Sequence, residues 1–188
     1  SVILDNSAGG GPGSGPKPNG GYGGAVCLTG GGTLTMRNTL VAGNRGYNNN
    51  NGTPVAASDG IYIFNGSASL VNCTVAYNPS GYQVGADVGI RYIAGSVALT
   101  NSIVWGHADV DVTGTVTLAY CDIGTTGADV TTTNCISTDP LFVNRIHYHL
   151  QSRKGNYVGG YFSGGSWGTS SSNSPCMDAG DPNSDFSL

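Results

Sequence analysis

Apolar and polar side chains alternate along Gly-Thr-Leu-Thr-Met-Arg (32–37), and the alternation returns at 66–71, 95–100 and 114–119. It places Leu34, Ala68, Val97 and Val116 in one equivalent position and Met36, Leu70, Leu99 and Leu118 in the next. Period-two alternation predicts strands with one buried face. Each run leads into a short motif: "NTLV" (38–41), "NCTV" (72–75), "NSIV" (101–104) and "YCDI" (120–123). A small residue follows the first position (Thr39, Cys73, Ser102, Cys121), and Val41, Val75, Val104 and Ile123 close the motif. Upstream lies a further strand that begins with Gly: "GAVCL" (24–28), "GIYIF" (60–64) and "GIRYI" (89–93). The unit is strand, Gly-rich turn, strand, Asn corner, strand and a variable loop.

Copies of the motif fall 34, 29 and 19 residues apart, and one connection absorbs every change of length. A parallel coil demands the same residue class at the same place in each unit, because equivalent residues stack about 4.8 Å apart. The pattern therefore predicts an all-β, right-handed parallel β-helix of about five to six rungs over residues 1–150. An irregular Gly/Ser-rich tail follows over 151–188. Asn38, Asn72 and Asn101 are expected at a left-handed corner, with buried amides forming a structural ladder. A second column is expected at Asn6, Asn44, Asn78 and His107, with Ile3 equivalent to Val41. That places the first residues in mid-rung and predicts an edge covered by further chain or by another subunit.

Composition narrows the class. Gly (32) and Pro (8) make up about a fifth of the 188 residues. Only 10% are charged, Glu is absent, and the net charge is −4. A chain this poor in cations is a poor match for nucleic acid. No apolar run approaches the roughly 20 residues of a membrane span.

Five segments occur in one order: "NSIVWG" (101–106), "YCDI" (120–123), "STDPLFV" (137–143), "YHLQS" (148–152) and "SPCMDAGDPNSD" (174–185). They resemble the C-terminal segment of bacterial parallel β-helix repeat proteins of the choice-of-anchor type, found at the cell surface. The resemblance covers residues 23–188. It implies an extracellular or cell-surface location, a structural role and no assigned reaction. The family pattern continues past DAGDP, which implies a fragment of a longer chain or an assembly subunit.

Five sets of residues carry candidate chemistry. Asp178, Asp181 and Asp185 lie in a Gly/Pro/Asn turn that can offer oxygen ligands to calcium; the alternative is an Asx-rich capping turn. His147 and His149 flank Tyr148 on an expected strand, as metal ligands together with His107 or an Asp, or as solvent-facing residues. Arg91 beside Tyr62 and Tyr92 is the one cation placed to serve a polysaccharide lyase. Asp109, Asp111 and Asp122 supply the only carboxyl group set for a hydrolase, or form a solvated strand edge. Tyr47, Tyr82, Tyr157, Tyr161, Phe162 and Trp167 can stack on sugar rings, or pack the 152–173 segment against the coil.

Of the cysteines, Cys73 and Cys121 are two rungs apart and too distant to bond, while Cys135–Cys176 is the disulfide the sequence favours. The expected function is a non-enzymatic surface stalk, surface-layer, adhesive or filament component. Its partners would be a neighbouring β-helix segment, identical subunits end to end, or a cell-surface polysaccharide. The alternative is a carbohydrate-active enzyme or binding module, for which Arg91, Tyr62, Tyr82 and Trp167 are the binding candidates. No cofactor is required, with calcium the one candidate.

Overall fold

The computed structural model describes residues 1–8, 23–46, 49–50, 53–54, 60–79 and 87–184. Tyr47, Tyr82 and Asp185 lie outside them. The described residues are all-β, with no helix. The chain divides into two compact units, Ser1–Ser137 and Thr138–Leu188. The break falls earlier than residue 150, because the parallel pairing stops near Ile136.

The first unit contains three large parallel sheets and a small one that pairs Ser7–Ala8 with Arg45–Gly46. One takes Val2–Leu4, Leu40–Ala42, Thr74–Ala76, Ile103–Trp105 and Asp122–Ile123 in that order. A second takes Gly32–Arg37, Gly66–Val71, Gly95–Thr100, Val116–Ala119 and Val130–Thr133. A third takes Val26–Leu28, Ile61–Ile63, Val88–Tyr92 and Val110–Thr113. Each repeat thus gives one strand to each sheet, and sequence neighbours become spatial neighbours. The register follows the sequence alignment: Leu34, Ala68, Val97, Val116 and Val130 face one another in succession. Ile3 pairs with Val41.

Period two decides what is buried. Leu70, Leu99 and Leu118 are sealed in the core with Val75, Val104, Ile61, Ile90 and Val112. The intervening Ser69, Ala98 and Thr117 are exposed. The Gly at the entrance of the second sheet's strands is required by both conformation and space. Gly66 and Gly95 have φ of 147° and 120°. A Cβ on Gly95 would also fall on the Gly66 carbonyl.

Corners explain the motif. Asn38, Asn72, Asn101 and Tyr120 have φ of 47°, 54°, 50° and 52°, the left-handed region that Asn tolerates. Asn134 joins them at φ 51° and reveals a fifth copy, Asn134-Cys135-Ile136-Ser137. In this copy Ser137 replaces the closing Val, which hides the motif in the sequence, although its Asn-Cys start repeats that of Asn72-Cys73. A second left-handed column runs through Asp5, Gly43, Tyr77 and Gly106, one residue before Asn6, Asn44, Asn78 and His107.

The second unit is mostly turns. It holds an antiparallel pair of short strands, Asn156–Val158 with Ser166–Gly168, and a bridge between Phe142 and Leu150.

Candidate functional site

The most ordered polar chemistry lies inside the first unit. Asn6 Nδ2 donates to Asn44 Oδ1 at 2.9 Å, and Asn44 Nδ2 donates to Asn78 Oδ1 at 3.0 Å. Asn78 Nδ2 then meets His107 Nε2 at 3.1 Å. An amide nitrogen can only donate, so Nε2 accepts and the ring proton sits on Nδ1. Nδ1 contacts Asp111 Oδ1 at 2.7 Å. Thr125 completes the series: its N–H and Oγ1–H both donate to Asp111 Oδ2, at 2.8 and 3.0 Å. The links from Asn6 through Asn44, Asn78 and His107 all donate toward Asp111, and Thr125 donates to the same carboxylate from the other side.

Backbone groups are held by the same side chains. Asn44 Oδ1 accepts the N–H of Asn6, and Asn78 Oδ1 accepts the N–H of Asn44. Asn44 Nδ2 also reaches the carbonyls of Ile3 and Ala42. The column therefore satisfies main-chain groups that the left-handed turn before each residue takes out of the sheets. His107 and Asp111 side chains are 0% and 3% exposed, so no substrate in solvent reaches the pair.

The buried ladder is thus the Asn6 column. Asn38 and Asn72 side chains are exposed and Asn101 is half-buried, which corrects the expectation of an inward amide ladder there. A residue in the left-handed conformation at this corner turns its side chain outward and its successor inward. The successors Thr39, Cys73, Ser102 and Cys121 are buried, at 7% exposure or less. They form their own column. The Oγ or Sγ of Thr39, Cys73, Ser102, Cys121 and Cys135 each donates to the carbonyl two residues back. Cys73 N–H donates to Ser102 Oγ at 3.1 Å, and Cys121 N–H to Cys135 Sγ at 3.4 Å. None of the five cysteines is in a disulfide.

The carboxyl groups considered for hydrolysis occupy different surroundings. Asp111 is sealed against His107, and Asp122 is also buried. Asp109 sits on an exposed bend, where its Oδ2 accepts the Asp87 N–H at 3.1 Å. Arg91 and Tyr62 are directly opposed on adjacent strands. Burial pulls the Arg91 guanidinium below its ordinary value, against the opposing influence of Tyr62 and Asp109. Tyr62 is only 4% exposed and stacks beside Phe64, so it offers no open face to a sugar.

In the second unit, aromatic rings form a chain. Tyr161 meets His147 edge-on at 4.8 Å, and His147 stacks on His149 at 6.3 Å. Tyr157 meets His149 edge-on at 5.3 Å, and Trp167 meets Tyr157 at 6.0 Å. The two His lie in and just after a turn rather than on a strand, and His149 Nε2 is held by the Gly160 carbonyl at 2.6 Å. His147 Nδ1 is buried without a hydrogen-bond partner. Trp167 is 77% exposed and Phe162 76%. Asp181 Oδ1 accepts the N–H of Asn183 at 2.9 Å, an Asx turn, and Asp178 is exposed with φ 59°.

No family model matches the chain, and no curated protein or solved structure matches it; the resemblance to choice-of-anchor proteins rests on the quoted motifs alone.

Proposed function

We propose that the first unit is a right-handed parallel β-helix serving as a non-enzymatic structural segment of an extracytoplasmic surface protein. One observation carries the reading: the buried polar side chains are each other's partners along the stacking direction. The His107–Asp111 pair, the arrangement closest to catalytic chemistry, is sealed and committed to holding repeats together. Stacked repeats supply rigid length, and loops of variable size supply surface variety. The test is incubation of the purified chain with neutral and acidic polysaccharides, followed by assay for reducing ends and unsaturated products. Absence of turnover, with unchanged results for His107→Asn and Asp111→Asn, fits a structural role. Turnover abolished by either substitution overturns it.

A second reading, carbohydrate binding by an adhesive surface protein, is favoured by the exposed Trp167. An indole face braced edge-on by Tyr157 is suited to stacking on a pyranose ring. A glycan array comparing the native chain with Trp167→Ala decides it: binding lost in the variant supports this reading, and equal signals remove it.

A further inference from the structure

Among the column of hydroxyl and thiol residues, one neighbouring pair is thiol on thiol. Cys73 lies between Thr39 and Ser102, whereas Cys121 and Cys135 follow one another directly. Their register is bracketed on both sides, by Ala119 opposite Thr133 and by Asp122 opposite Ile136. The Cys121 N–H reaches Cys135 Sγ at 3.4 Å. Directly opposed residues on neighbouring parallel strands have Cα atoms about 4.8 Å apart, inside the roughly 4.4–6.8 Å that a disulfide spans.

Joining the sulfurs leaves neither carbonyl unpaired. Each thiol now donates to a carbonyl, Ala119 for Cys121 and Thr133 for Cys135. Those carbonyls already accept backbone N–H groups, from Asn101 and Tyr120 respectively. Loss of both S–H donors therefore strands no acceptor.

We propose that Cys121 and Cys135 are an oxidisable thiol pair, which a small-molecule disulfide converts into a cross-link between successive repeats. Cys135 is half-buried and the more accessible of the two, so its sulfur attacks first; Cys121 is 2% exposed, and burial pushes its thiol up to about 12. Its sulfur displaces one thiol of the oxidant and forms a mixed disulfide. Cys121 then gives its proton to solvent base, and its sulfur displaces the second thiol. Two protein thiols become one disulfide, and the oxidant's disulfide is reduced to two thiols.

The experiment treats the full chain with oxidised glutathione under native conditions, alkylates remaining thiols in denaturant, and maps peptides without reduction. The expected result is a peptide joining Cys121 to Cys135, with Cys73 alkylated and the exposed Cys27 carrying glutathione. Cys121→Ser should halt the sequence with glutathione held on Cys135, and Cys135→Ser should leave Cys121 unmodified. Ser102 already occupies this column, so both variants retain its hydrogen bonding. A Cys135–Cys176 link, or native chain with glutathione on Cys135 and Cys121 still alkylatable, overturns the proposal.

Discussion

Asn44 and Asn72 are the same residue type with opposite roles. Asn44 is wholly buried and its amide serves Asn6, Asn78 and the carbonyls of Ile3 and Ala42. Asn44→Leu should cost roughly 1–3 kcal/mol for each buried group it leaves unpaired. Asn72 contributes its backbone conformation, which Gly adopts freely, so Asn72→Gly should stay within about 0.5 kcal/mol of the native chain. Urea midpoints at constant m-value measure both. Equal losses would refute the distinction. Cys121 gives a second residue-scale prediction. Burial raises its thiol from 9.0 to about 12 in the folded chain. A raised folded value stabilises fully below the unfolded value and is lost as pH rises through the folded one. Stability should therefore fall between pH 9 and 12, by up to about 1.4 kcal/mol per pH unit from this group. Cys121→Ser should remove that part of the slope in urea titrations at pH 8, 9.5 and 11; an unchanged slope would contradict it.

Strands and turns were more legible than side-chain direction. Alternation at Leu34/Met36, Ala68/Leu70 and Val97/Leu99 gave the second sheet and its register, because burial of one face leaves no other alignment. The Asn corner was legible as a conformation but misread as an inward ladder. Sequence spacing gives residue order, not which of two successive side chains a left-handed turn sends inside. Asp111 was invisible as a column member because its link to His107 depends on how a loop returns to the next strand. At the element scale the Gly turns are the critical points. Gly95→Ala combines a disallowed φ with a collision against the Gly66 backbone and should cost at least about 2 kcal/mol. Gly30→Ala meets open space at φ 78° and should cost about 1 kcal/mol. Thermal melts of the two variants test the order, and a reversal would show that the turn relaxes.

At the scale of the whole molecule, the two compact units differ in kind. The first has three large parallel sheets and a continuous core; the second, among the described residues, has a single two-stranded hairpin, which in isolation is marginal in water. A chain of residues 1–137 should keep slow amide exchange at Leu70, Leu99 and Val104, whereas 138–188 alone should exchange throughout. Loss of protection in the longer piece would show that its core depends on the second unit. The one-way amide column also bears on how such a molecule can be lengthened. A duplicated repeat carrying Asn at the column position can be spliced between Asn44 and Asn78, since it accepts from one neighbour and donates to the next. The same cassette placed after Asp111 meets an anion with both oxygens already taken. New divisions should therefore be accepted on the Asn6 side of His107 more readily than beyond Asp111, as on a ruler with a fixed zero.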